Sequence, residues 1–561
     1  PVLYYPRFFH PDPTVKRQSG LLRPQIGDSE ILGSSAYIPY FYVISDESDL
    51  TIKPRMYADG KYTLQNELRH VTQNTENILD FSLTRGHDSY KGDIKDSRTH
   101  FFSHSTIKPE FFEDKSIFKN FENSALEIQL QRVSNDTYLN LFSLSSPLFG
   151  EQKSRNIGTL NSYINFGAQV NDNRSFSLAL GSYEKLSQAN SDRYEIFPSY
   201  GFNQSFDPGK ILKGNLSFNS SGSSLYYKTN VVESKMINDL RYESQEMFLN
   251  SGIRNTYYAG FKNVNTGGKN STTYKDDFNS QGLSEYIFRT SYPLIRNGLN
   301  FDNYLTPKIS LQYSPHNMIN LSGNSRRIDA KGVWSVNRIG QSDSVESGQS
   351  LTIGMDFKRS RKIQGMLVKD TIKEVESDEP LDVLELNLAG VFRDEINEDM
   401  PITSSLNQTS SDLLGKVLIN PAKYLKFEYD FNLDNNFDVF KYNGISTTLD
   451  VNNFLTTFKY AEENDPIGKA HYWENITEYQ FNDTSSIQFA TRRNKKINLT
   501  EFYDLIYQYK NDCLTAAVKY RRDYYDDRDI KPTQDLFFSL TIVPLGAYQT
   551  KNLFNNNEKN N

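Results

Sequence analysis

Long apolar runs are missing from this chain. No stretch of about eighteen apolar residues occurs anywhere in it, which excludes a membrane-spanning helix. Cysteine is nearly absent: Cys513 stands alone among 561 residues, so no internal disulfide framework exists. There is no basic excess. The net charge is −7 and the pI about 5.7, which removes the electrostatic footprint of a nucleic-acid binder. No GxSxG, P-loop or Rossmann glycine pattern is present. The closest histidines, His100 and His104 in HFFSHS, lie in a segment that reads as extended. Residues four apart there are about 13 Å from one another, too far to share a metal. Carboxylates are plentiful but unpaired by spacing, and the acidic run Glu374–Asp382 reads as a solvated loop. The expectation is a chain with no catalytic set, no metal and no cofactor. No signal peptide is visible and the chain begins at Pro1, so it reads as a piece of a longer precursor.

Apolar residues are also scarce, at 37%. Such a composition would suit disorder, except that disordered chains lack aromatics. This one holds 36 Tyr and 37 Phe, and they recur at every second position. In Leu126–Arg132, Leu126, Ile128 and Leu130 face one way and Glu127, Gln129 and Gln131 the other. After Ser134-Asn135-Asp136, read as a turn, TYLNLF reads as the returning strand. Ile164–Val170 is followed by Asn171-Asp172-Asn173 and by the alternation Phe176, Leu178, Leu180. Lys423–Leu433, Phe502–Lys510 and Leu514–Arg522 repeat the pattern. A period of two predicts strands, and lengths of about nine to eleven residues suit a tilted strand crossing a bilayer. A soluble sandwich also alternates, but a chain of sandwiches needs domain boundaries, and no linker divides Gly20 from Gly546. Short turns such as Asn482-Asp483 alternate with long polar connections, Gly86–Thr99, Gly267–Gln281 and Arg359–Pro380. Short turns on one rim and long loops on the other predict a single closed antiparallel transmembrane β-barrel.

One stretch breaks the pattern. SGLLRPQIG, YIPYFYVIS and DLTIKPRMY each read as a strand, and each contains a proline: Pro24, Pro39 and Pro54. Proline cannot donate to a ladder and is confined to edges, strand starts and bulges. Three such strands in succession predict a weak place where the barrel closes on itself. The closing partner is Leu536–Val543, with Leu536, Phe538, Leu540 and Ile542 on its lipid side and Pro544 ending it. The pair Lys16–Arg17 reads as an exposed turn pair or, functionally, as a hinge that fixes the incoming segment at the barrel mouth.

FFHPDPTVKRQSGLLRPQIG with YIPYFYVISDESDLTIKPRMY resembles the start of the barrel in the LptD family of lipopolysaccharide-assembly proteins. FYDLIYQYKNDCLTAAVKYRRDYYDDRDIKPTQDLFFSLTIVPLG resembles the family's last strands. The resemblance implies about 26 strands in the outer membrane of a Gram-negative bacterium. It divides the chain into residues 1–18, leading in from a missing periplasmic jellyroll domain; 19–546, the barrel; and 547–561, a polar tail. It implies lipopolysaccharide as cargo, inserted into the outer-membrane lipid between first and last strands. The implied partners are a plug lipoprotein, LptE, and a periplasmic Lpt bridge reached through the missing domain. Pro24, Pro39 and, by the same rhythm, Pro54, with Leu536, Phe538, Leu540, Ile542 and Pro544, are its implied gate. The family's enterobacterial form carries two adjacent cysteines near this end. Here only Cys513 stands there, so one disulfide to the periplasmic domain is the most that carries over; an inert thiol is the alternative. Two other readings compete. A porin or gated receptor predicts a plug or constriction loop and a first strand free of proline. A surface-exposed structural β-protein predicts internal repeats, which are not seen.

Overall fold

The alternating segments pair each with the next, hairpin after hairpin, from Gly20 to Ile542. In this computed structural model the described residues are 17–22, 24–86, 97–108, 121, 123–149, 157–186, 193–209, 212–362, 382–464, 470–511, 514–524 and 532–542. Four pairs of strand segments are single barrel strands interrupted in the middle. They are Gly20–Leu21 with Gln25–Ser29, Gly33–Tyr37 with Tyr40–Val43, Val232–Ser244 with Met247–Phe248, and Asn279–Ser291 with Leu294–Asn297. Counted so, 26 antiparallel strands form one sheet, and the last, Thr533–Ile542, returns to pair with the first.

The period of two sorts side chains as a bilayer requires. Leu505 and Tyr507 point outward and are exposed, while Asp504 beside them is buried inside against Arg521. Lys53 with Glu67 and Lys416 with Glu428 are further pairs that line the interior. Turns carry their own chemistry: Asn171 Oδ1 accepts the Asn173 N–H at 3.0 Å and closes the hairpin between Thr159–Asn171 and Arg174–Lys185.

Three connections from one rim fold into the lumen. In the first, Asn135 Oδ1 accepts from the backbone N–H and hydroxyl of Thr137, and the helix Tyr138–Leu141 follows. Tyr138, Leu139, Leu141 and Phe142 pack with Leu32, Tyr57, Phe102 and Leu160 into an apolar cluster inside the wall. TYLNLF is therefore a lumenal helix and not a strand, and Asn135-Asp136 opens this insertion and not a hairpin. Its apolar residues on successive positions have the cluster on several sides, which a helix satisfies and a two-faced strand does not. The second and third insertions, within 315–347 and 394–412, share a cluster built on Val333, Ile339, Met400 and Leu406 against wall residues Ala389, Val391 and Leu414.

Gly86–Thr99 and Gly267–Gln281 open on the rim of these insertions. Arg359–Pro380 departs from the expected division: the strands it joins, Gly348–Arg361 and Asp382–Arg393, place it on the rim of short turns. Both chain ends of the barrel, Gly20 and Ile542, lie on that same rim. The HFFSHS segment is part of the strand Ser97–Ile107.

A closed ladder with an apolar exterior resists detergent until heated. Unheated samples in detergent are expected to run faster on a gel than boiled ones. A chain that stays soluble and monomeric without detergent would contradict the membrane barrel.

Candidate functional site: the closing seam

The last strand is held unequally on its two sides. It pairs over ten residues with Leu514–Asp523 but over five, Asp535–Ser539 with Gln25–Ser29, with the first strand. Two backbone bonds flank the five: Glu30 N–H to Gln534 O at 3.1 Å, and Leu540 N–H to Pro24 O at 3.3 Å.

The second of these bonds explains the prolines. In an antiparallel ladder a hydrogen-bonded residue pair exchanges two bonds. Leu540 donates to Pro24, and Pro24 has no N–H to return. One strand further, Leu22 N–H donates to Pro39 O at 2.8 Å, and Pro39 cannot return it. One further still, Ile38 N–H donates to Pro54 O at 3.2 Å, again without return. The three prolines thus each delete one of two reciprocal bonds, in three consecutive strand pairs beginning at the seam. Pro24 and Pro39 also interrupt their strands. Pro54 does not: it sits inside the continuous strand Ser48–Tyr57, opposite Leu64.

Leu536, Phe538 and Ile26 face outward and are exposed, with Ile26 paired to Phe538 across the seam. Leu540 carries the flanking bond, and Ile542 pairs through its backbone with Leu514. Pro544, Cys513, Lys16, the tail from 547 and the acidic run from Glu374 to 381 lie outside the described residues. Arg17 is described: its guanidinium pairs with the Asp49 carboxylate and lies 5.6 Å from the Phe41 ring centroid, tethering the incoming chain to the second and third strands.

The lumenal face of the seam holds residues that the sequence did not single out. Gly27 is buried, and a Cβ there would meet the Phe537 ring at 2.5 Å, so the ring lies directly over the glycine. An isolated glycine inside a strand signals such a close approach. Arg55 reaches from the third strand across the second and first. Its guanidinium stands 5.0 Å from the Tyr37 ring and 5.9 Å from the Phe537 ring, and donates to Gln25 Oε1 at 3.4 Å. No local pattern marks Arg55. Deeper along the same wall, His100 bonds Ser82 Oγ through Nδ1 at 2.5 Å and lies 3.3 Å from Asp80, while the Tyr138 hydroxyl of the first insertion meets Ser82 and Thr84. The first insertion is therefore fastened to the fifth strand, Thr75–Arg85.

No family model matches the sequence. Curated proteins do. The "LPS-assembly protein LptD" of Psychrobacter arcticus is 22% identical over an alignment covering 98% of this chain and 60% of that protein. The chain is similar to LptD over almost its whole length. The LptD of Pseudoalteromonas translucida is 32% identical over 25% of this chain and 17% of its own length, and that of Pseudomonas entomophila 24% identical over 43% and 23%. The matches thus span less than two thirds of these LptD relatives. Large barrel and LptD relatives together place the chain in the Gram-negative outer membrane. Among solved structures, the siderophore receptor PirA from Pseudomonas aeruginosa aligns with a TM-score of 0.30 at 10% identity, covering 95% of this chain and 81% of that one. The FrpB iron transporter from Neisseria meningitidis gives 0.31 at 8%, covering 93% and 81%.

Proposed function

We propose that this chain is a transport protein, not an enzyme, whose barrel delivers lipopolysaccharide into the outer leaflet by parting between its first and last strands. The observation that carries the reading is the five-pair seam with Pro24 beside it, where the return bond to Leu540 is missing. An amphipathic lipid needs such a slot. Its acyl chains are repelled by a polar lumen and its sugars by hydrocarbon, so the two parts must travel on opposite sides of one opening. The LptD name of its relatives supplies the cargo. Pro24, Pro39 and Pro54 form the yielding edge. Leu536, Phe538, Leu540 and Ile542 form the lipid-facing edge that the acyl chains pass, and Pro544 ends it. A lipoprotein of the LptE type, a periplasmic Lpt bridge and a disulfide from Cys513 to a periplasmic domain complete the proposed machine, with residues 1–18 as its lead-in. The lumenal insertions are a feature that a porin would share; the proline-broken first strand is not.

Replacing Pro24 and Pro39 with alanine restores two donors. The Pro24 donor faces Leu540 across the seam, where a net bond of ~1 kcal/mol is about a fivefold change in the opening equilibrium; the Pro39 donor ties the first strand to the second and stiffens that edge. Surface lipopolysaccharide, followed by pulse-labelling in cells that depend on the variant, is expected to appear several-fold more slowly. Depleting the wild-type chain is expected to hold new lipopolysaccharide inside the cell. Normal surface delivery after depletion would leave a porin as the better account.

A further inference from the structure

Another interrupted junction lies across the barrel from the seam. The strands Asn279–Ser291 and Phe301–Ser314 pair with their other neighbours over 13 and 14 residues. With each other they pair continuously over six, Tyr286–Ser291 with Lys308–Tyr313. Above Tyr286 that ladder stops. Below Ser291 it meets Pro307, which accepts from Tyr292 N–H at 3.1 Å and cannot return the bond, before four more pairs form between Leu294–Asn297 and Asp302–Leu305. This is the same deletion found at the seam. On the bilayer side the junction is uncovered: a groove of 730 Å³ lined by Tyr257, Tyr286, Phe288, Leu311, Tyr313 and Leu351 runs over it.

Counted round the barrel, fourteen strands separate this junction from the seam one way and twelve the other. A ring cut at one point bends most opposite the cut. Any parting of the seam therefore loads this junction more than the rest of the wall.

The lumenal side of the junction is spanned by one short segment of the second insertion. At one end, Arg338 is buried and donates to Glu346 at 2.5 and 2.6 Å, to Ser350 Oγ at 2.8 Å and to Thr352 Oγ1 at 2.8 Å. Arg393, at the end of the strand Asp382–Arg393, donates to the same Glu346 at 2.5 Å and to the Ser347 carbonyl. Burial pushes the Glu346 carboxyl up, but the two guanidiniums outweigh it and hold it below the ordinary carboxylate value. At the other end, Lys262 of the strand Arg254–Lys269 donates to the Ser342 carbonyl at 2.8 Å and the Ser344 carbonyl at 3.4 Å. Asp343 accepts from the Tyr274 hydroxyl, and Val345 packs on Ile237, Val264 and Leu283. One end grips the wall before the junction, the other the wall after it.

We propose that the segment 338–347 is a brace that keeps this second junction shut, so that bending is taken up at the seam alone. The purpose rests on the seam reading; the brace does not.

Hydrogen exchange on the full chain in lipid nanodiscs tests it. Glu346→Ala is expected to speed exchange in peptides covering Tyr286–Ser291 and Lys308–Tyr313 by at least about tenfold, with the distant pair Leu425–Leu433 and Phe440–Val451 unchanged. Should the buried arginines left behind prevent folding, Lys262→Met cuts the other end while Asp239, the carboxylate beside Lys262, keeps its pair with Arg241. It is expected to move the same peptides in the same direction by about threefold. The segment 338–346 reports on itself: if it exchanges fast while the junction keeps its wild-type rate, the brace is refuted. The same spectra read the seam separately. If Gln25–Ser29 in the wild type is as protected as the interior strands, that counts against the seam reading and leaves the brace untouched.

Discussion

Cysteines at Ile26 and Phe538, joined under oxidising conditions, are expected to abolish delivery of lipopolysaccharide to the cell surface, and a reductant is expected to restore it. The two residues face each other across the seam and both point outward, so the bond leaves the lumenal contacts of Arg55 with Phe537 and Gln25 alone. The covalent link replaces a ladder of five pairs, whose two flanking bonds each run one way only, with a connection that thermal motion cannot break. The control is the same chemistry in a full ladder. Tyr429 and Ile445 pair between Leu425–Leu433 and Phe440–Val451, and a disulfide there is expected to leave delivery at its normal rate. Normal delivery with the seam locked would mean that cargo travels wholly through the lumen. Loss of delivery in both variants would point to damage from the cysteines and not to a gate.

Expelling the first insertion is expected to convert a tight barrel into a leaky one. Leu139 and Phe142 are almost fully buried in the cluster with Tyr57, Phe102 and Leu160. Leu139→Asp with Phe142→Asp places two carboxylates in that cluster, and an unpaired charge in an apolar setting costs several kcal/mol. The wall itself keeps its ladders, so the cheapest escape is for the helix Tyr138–Leu141 to leave the lumen. Conductance in planar bilayers is expected to rise by about tenfold or more, with cells becoming sensitive to large hydrophilic antibiotics. Tyr138→Phe, which removes only the bonds to Ser82 and Thr84, is expected to give a far smaller rise. An unchanged conductance in the double variant would mean that the remaining insertions seal the lumen by themselves.

Where a residue's role depends on its neighbours two positions away, the sequence was readable. The strands around Phe166, Phe427 and Tyr507 follow from alternation alone, and the turn at Asp172–Asn173 from its own side chains. Pro24 and Pro39 were legible as strand breakers because proline acts on its own peptide bond. TYLNLF was not, since six residues are too few for a period to separate helix from strand, and the lumenal cluster that makes it a helix comes from residues as distant as Leu32 and Leu160. Arg55, Gly27 and Phe537 meet only once the barrel has closed, and Arg338, Glu346 and Arg393 only once an insertion has folded inward. Such meetings are fixed by topology, which no local period records.

Gly27 beneath the Phe537 ring has a consequence for a wall that parts repeatedly. Two separated edges can rejoin out of step, and a slip of two residues preserves every inside–outside assignment, so hydrophobicity cannot detect it. Such a slip would drive the ring against the Cβ of Gln25 or Ser29 in place of bare backbone. The glycine is thus an index mark. It makes one alignment of the two edges fit and its nearest rivals clash, so that a seam parting as proposed would reclose in its original register.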